Sequence, residues 1–245
     1  MNTEHIVRSY DTELNRLNDL IARMGGLAEK QLADAVQSVF KRDDTLAART
    51  VDSDVRIDEL EREVDAVVVQ LLALRQPMAD DLREVIAALK ISSDLERVGD
   101  YAANIAKRVA ALSQVPSVKP AHVIPRMGTL TQSMIRRVLD AYSERDADKA
   151  VAVRNADEEV DEMYTSLFRE LLTYMMEDPR DITACTHLLF IAKNIERIGD
   201  HATNIAEYVY FLVHGTPLAD ERPKGDTSPT VVSGPEKPAR KESGK

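Results

Sequence analysis

Tryptophan is missing from this chain, and aromatic residues together make up only 4% of it. That scarcity argues against a β-sandwich, whose strands lean on aromatic and β-branched side chains. Cysteine occurs once, at Cys185, so no intramolecular disulfide can form, which fits a reducing compartment. Cys185 lies between Ala184 and Thr186 and reads as core. Glycine and proline are sparse, at 9 and 10 of 245 residues, and Ala, Leu, Glu, Arg and Asp are plentiful, a mix that favours helix. No apolar run is long enough to span a bilayer; the longest, around Val67–Leu74, falls far short of the roughly 20 residues required. The first residues, MNTEHIVRSYDTEL, lack the basic segment and apolar core of a secretory signal. These features predict a cytoplasmic protein that meets a membrane only through partners.

Positive charge is also in short supply. Lys and Arg number 32 against 42 Asp and Glu, a net of -10. Such a body repels nucleic-acid phosphates and attracts divalent cations or a basic protein surface.

Apolar residues recur at helical spacing, as in Leu60, Val64, Val67, Leu71, Leu74 and in Ile91, Leu95, Val98, Ala102, Ile105, Val109. Breaks at Arg42-Asp43-Asp44, Gln76-Pro77, Pro116–Pro125, Glu144–Asp146 and Asp178-Pro179 predict six helices, over 4–41, 45–75, 79–113, 123–144, 147–177 and 180–214. Gly25-Gly26 marks either a kink or a break in the first. Pro217, Pro223, Pro229, Pro235 and Pro238 fall in a terminal stretch without apolar period, so 215–245 reads as a disordered tail.

The chain repeats itself. Leu95-Glu96-Arg97-Val98-Gly99-Asp100-Tyr101-Ala102-Ala103-Asn104-Ile105-Ala106 matches Ile195-Glu196-Arg197-Ile198-Gly199-Asp200-His201-Ala202-Thr203-Asn204-Ile205-Ala206 one hundred residues on, with eight of twelve positions identical. Asp54 and Asp58 match Asp157 and Asp161, and Arg42-Asp43 matches Arg145-Asp146. The expected fold is therefore all-α: two tandem three-helix bundles, over 1–115 and 121–214, joined by the proline-rich stretch near residue 120.

In each copy two acids stand four apart on the third helix, Glu96 with Asp100 and Glu196 with Asp200. Two more stand four apart on the middle helix, Asp54 with Asp58 and Asp157 with Asp161. Acids at this spacing share a helix face and repel. A single such pair is ordinarily a solvated face. The recurrence of both pairs, while much of the surrounding sequence differs, points instead to metal binding. All-oxygen donors suit hard cations, which would cancel the repulsion. The acids are expected to face outward, with Glu61 and Asp65 continuing the strip and Asn104 and Asn204 able to add amide oxygens. Gly99 and Gly199, beside the acids, serve close helix packing or leave room for an ion cluster or partner. Walker A, GxGxxG, HExxH and nucleophile-elbow signatures are all missing, as is any Glu-x-x-His pair. An enzyme is thus not expected. The rival is a metal-dependent hydrolase using the carboxylate clusters, which would need a general acid or base beside them; no repeated His or Lys stands there. A third possibility is a purely structural helical repeat with incidental acids.

These duplicated segments resemble the PhoU family of phosphate-signalling regulators. So do Met24-Gly25-Gly26-Leu27, Leu74-Arg75-Gln76-Pro77 with Asp81-Leu82-Arg83, and Leu172–Asp178; the resemblance covers nearly all of 8–214. It implies two three-helix bundles related by an approximate twofold, dimers or larger assemblies, and a non-enzymatic negative regulator of the phosphate-starvation response. Such a regulator bridges the ATPase subunit of the phosphate ABC transporter and a sensor histidine kinase. By analogy Asp54, Asp58, Glu96, Asp100, Asp157, Asp161, Glu196 and Asp200 would hold divalent or trivalent ions: iron, zinc, magnesium or manganese.

Overall fold

The structure, a computed structural model, describes residues 3–218, with side chains from Thr12 onward. Most of the tail expected over 215–245 therefore lies outside the described residues. Among the described residues there are only helices and their connections: α1 (Thr3–Lys41), α2 (Asp44–Ser53), α3 (Val55–Arg75), α4 (Asp80–Ala106), α5 (Val109–Leu112), α6 (Val123–Glu144), α7 (Ala147–Glu177) and α8 (Ile182–His214), with short 3-10 turns at Lys119–His122 and Pro179–Asp181. None of these helices is long and apolar enough to cross a membrane.

The repeated Arg-Asp dipeptide is the stop-and-start signal of each copy. Arg42 and Arg145 take left-handed backbone (φ 54° and 56°) after α1 and α6. The next amides, Asp43 N–H and Asp146 N–H, bond back to Ser38 O at 2.9 Å and Ala141 O at 3.0 Å, the Schellman closure. Asp43 and Asp146 then cap the following helix, each accepting from a backbone N–H (Leu46 and Lys149) at 2.9 Å.

Helix α1 runs unbroken through Gly25-Gly26. The middle helix of the first copy, by contrast, is interrupted at Asp54, while α7 continues straight through the matching Asp157. The cause is local. Thr50 Oγ1 donates to Leu46 O at 2.8 Å and Ser53 Oγ to Thr50 O at 2.7 Å; hydroxyls bonding back onto their own helix bend it. The second copy has Val153 and Ala156 at these places.

Helices α1, α3 and α4 pack together as one bundle and α6, α7 and α8 as the other; α4 lies against α8 and α1 against α6. The two bundles share one continuous core. Ile91, Leu95, Val98, Ala102 and Ile105 on α4 and Ile191, Ile195, Ile198, Ala202 and Ile205 on α8 are fully buried, each large side chain contributing about 1.5–3 kcal/mol. An approximate twofold relates the copies. Gly25 on α1 receives Leu139 of α6, and the matching Gly128 on α6 receives Val36 of α1, each glycine allowing an approach a Cβ would obstruct. On the same axis the rings of Tyr101 and His201, matching positions of α4 and α8, lie 5.6 Å apart.

Candidate functional site

The acidic pairs of each copy do meet across two helices, but the two groups differ. In the first, Asp54 at the α2–α3 junction and Asp58 one turn further stand beside Glu96 and Asp100 on α4, all four half-buried. Gly99 makes this possible. A Cβ there would lie 3.0 Å from Asp54 Oδ1 and 2.9 Å from Ile57 Cδ1, so the gap is filled by the neighbouring carboxylate and isoleucine. Gln31 of α1, only 3% exposed, donates through Nε2 to Asp54 Oδ1 at 3.0 Å and to Thr50 O at 3.3 Å. Its Oε1 is buried without a hydrogen-bond partner. Gln31 lies outside the duplicated motif, and its copy-two counterpart is Met134.

The charges of this group are poorly compensated. Burial, then the Asp100 charge, pushes the Glu96 carboxyl up to about 6, against the opposing pull of Arg97. Burial also raises Asp54, with Asp100 and Asp58 adding and the Gln31 hydrogen bond and Lys107 opposing. Burial and the neighbouring Asp65 and Asp58 raise Glu61, which joins the same face. The nearest cation is Arg97, exposed at the rim, whose Nε lies 3.5 Å from Glu96 Oε2 and whose Nη1 donates to Asp100 Oδ2 at 3.3 Å.

In the second group the outward orientation expected from the sequence fails. Asp157 is 0% exposed, Asp161 2% and Glu196 4%, with only Asp200 half-buried. Asp157 lies directly on the glycine of α8, its Oδ1 2.6 Å from where a Gly199 Cβ would stand. Lys193, one turn before Glu196, donates from Nζ to Glu196 Oε1 at 2.8 Å while standing 4.9 Å over the Tyr164 ring. Arg154, one turn before Asp157, is 6% exposed and reaches Glu207 Oε1 at 3.5 Å. Glu196 is pushed up to about 7, first by burial and then by Asp200 and Asp161, with Lys193 opposing. Its Oε2 is buried without a hydrogen-bond partner.

Arg197, the match of Arg97, stands 5.6 Å over the Tyr101 ring instead of pairing with acids. Asn104 and Asn204 also part company: Asn104 accepts from Lys107, whereas Asn204 turns across the axis to donate to Asp94 Oδ1 at 3.2 Å. His201 meets the same oxygen at 2.5 Å. Asp94 and Gln31 are the polar residues the repeat did not reveal, because neither is repeated: their counterparts are Asn194 and Met134. Among the described residues, no three His, Cys, Asp or Glu side chains converge as a closed ligand set. The first group nevertheless has the chemistry a hard cation needs: oxygen donors only, the Asp54 and Glu96 carboxyls raised by burial and then by their acidic neighbours, and the unpartnered amide oxygen of Gln31 beside Asp54.

These features define a class, the tandem three-helix-bundle proteins with an acidic pair on two neighbouring helices of each copy. Within that class the chain belongs to the PhoU family: the family's model, described as the PhoU domain, matches residues 21–109 and again 124–209. A Caulobacter vibrioides protein called phosphate-specific transport system accessory protein PhoU homolog is 53% identical over 225 residues, covering 91% of this chain and 98% of that one. The crystal structure of PhoU from Pseudomonas aeruginosa superposes with a TM-score of 0.82 at 41% identity, covering 84% of this chain and 100% of the other. The crystal structure of the phosphate transport system regulatory protein PhoU from Streptococcus pneumoniae superposes at 0.80 and 30% identity, over 86% of this chain and 99% of that one.

Proposed function

We propose that this chain is a non-enzymatic accessory regulator of phosphate transport that holds the phosphate-starvation response off while phosphate is plentiful. In this reading it acts in the cytoplasm as a homodimer and touches the membrane only through partners. It bridges the ATPase subunit of the phosphate ABC transporter and a sensor histidine kinase, and a metal ion on the first acidic group tunes those contacts. The observation that carries the regulatory reading is the double match to the PhoU domain across both bundles, together with relatives named as accessory or regulatory proteins of phosphate transport. The metal reading is supported by the crowded carboxyls around Asp54 and Glu96, whose cations Arg97 and Arg62 stand only at the exposed rim; Asp54, Asp58, Glu96 and Asp100 would hold an ion of iron, zinc, magnesium or manganese, drawn in around it. To transmit a signal, the adaptor must bind one state of a partner more tightly than the other, and the ion would contribute to that difference.

The test is a pull-down of the full chain from cells grown in high and in low phosphate, paired with deletion of its gene. The transporter ATPase or a sensor kinase should be recovered, and deletion should switch on phosphate-scavenging genes in phosphate-rich medium. Unchanged expression with neither partner recovered would sink the proposal.

A further inference from the structure

The two acidic groups arose from the same repeated segments, so each serves as a control for the other. Where the first copy has Ser93 and Val51, which carry no charge, the second has Lys193 and Arg154. Both cations are turned into the structure: Lys193 is bonded to Glu196, and Arg154 is almost wholly buried beside the turn that bears Asp157. Three carboxylates in this group are more than nine-tenths buried. Buried carboxylates persist only when paired or hydrogen-bonded. The first group, half-open to water, keeps its cations at the solvent-exposed rim: Arg97 beside Glu96 and Asp100, and Arg62 3.9 Å from Asp58.

We infer that Lys193, supported by Arg154, occupies in the second acidic group the place a metal ion takes in the first, so that the chain carries one cation centre and one internally neutralised copy. An incoming ion would have to displace an ammonium already bonded to Glu196, would be repelled by the buried guanidinium, and would have to reach carboxylates closed from solvent. The second motif is thereby a structural joint between α7 and α8, held by Lys193 and by the seat Gly199 gives Asp157. This inference rests on the metal reading of the first group.

The experiment is metal stoichiometry on the full chain, with Mn²⁺ followed by the paramagnetic resonance of the free ion and Zn²⁺ by mass spectrometry after dialysis. Asp54→Asn with Asp58→Asn should lower affinity at least tenfold. Glu196→Gln with Asp200→Asn should leave bound metal unchanged within twofold. Lys193→Ser should add a second centre; Lys193→Gln replaces it if the serine variant loses its helical circular dichroism. Loss of half the bound metal on changing either pair of acids would overturn the inference while leaving the metal reading intact. A Lys193 variant that stays folded yet gains no metal would overturn the role given to Lys193. Absence of binding in the wild type would remove both readings together.

Discussion

The ammonium of Lys90 stands 5.0 Å over the ring of Tyr208, and at the symmetry-related place the contact is made with its parts exchanged: Phe190 supplies the ring and Arg108 the cation, at 4.1 Å. An exposed pair of this kind contributes about 0.5–1 kcal/mol, and a desolvated one about 2. Arg108 is closer to its ring and partly buried, its Nε shut away from water, and its Nη1 reaches His187 Nδ1 at 3.5 Å. Arg108→Met should therefore lower stability by about 1–2 kcal/mol and Lys90→Met by no more than about 1. Urea unfolding of the two variants checks the order; equal losses would refute it.

Asp94 is nearly buried on α4, and its contacts reach α8 of the other bundle through His201 and Asn204. His201→Ala strips the imidazole from a buried carboxylate and should cost about 2–4 kcal/mol. The matching positions hold Asn194 and Tyr101, a neutral pair that the other side of the axis already accommodates. Asp94→Asn combined with His201→Tyr should then recover most of what His201→Ala loses. Thermal melts of the single and combined variants decide it; no recovery would mean that the axis cannot be made symmetric here.

Gly25 and Gly128 are related by the twofold but should not respond alike to alanine. A Cβ at Gly128 would lie 2.6 Å from Cγ2 and 2.8 Å from Cγ1 of Val36, a β-branched side chain with little freedom. A Cβ at Gly25 would meet the methyls of Leu139, the mobile end of a longer side chain. Replacing a helix glycine by alanine returns about 1 kcal/mol, against an overpacking cost of about 1–3 kcal/mol. Gly25→Ala should come out near neutral and Gly128→Ala destabilised by about 1–2 kcal/mol, as judged by denaturant midpoints.

Glu196 sets a pH dependence of known sign. Its folded-state pKa of about 7 lies above its ordinary 4.5, so between those values the native protein holds more protons than the unfolded chain. Stability from this group is full below about pH 4.5 and is lost as pH rises through 7. One proton sets an upper slope of about 1.4 kcal/mol per pH unit. Glu196→Gln should flatten the fall in stability between pH 5 and 7.5. Identical slopes in variant and wild type would show that the carboxyl is already ionised throughout.

Much of the fold could be read before any coordinates. Helix limits at Lys41, Glu144 and Glu177 follow from the Arg-Asp breaks and the proline of Asp178-Pro179, because these are local signals. The stripe from Ile91 to Val109 is buried at every position. Leu74, at the end of the other stripe, is 67% exposed, since periodicity identifies a face but not where a packing neighbour stops. The break at Asp54 depends on hydroxyl bonds from Thr50 and Ser53, which spacing does not register. The candidate site was legible as eight repeated acids, but their burial was not: it depends on glycines one helix away and on Lys193. A comparison that asks only what is repeated passes over Lys193, because its counterpart is Ser93. The informative signal lay in the positions that differ between otherwise matching segments.

A pair of identical three-helix units could never set a lysine on a tyrosine at one contact and a phenylalanine under an arginine at its mate, since any substitution would appear on both sides of the axis at once. Carrying both units on one polypeptide removes that restriction: each codon is answered at one place only. The contact of α4 with α8 has used this freedom at residues 90, 94, 101, 108, 190, 194, 201 and 208. The backbone remains nearly symmetric while its chemistry has a front and a back, so a partner meeting this body can distinguish one end from the other.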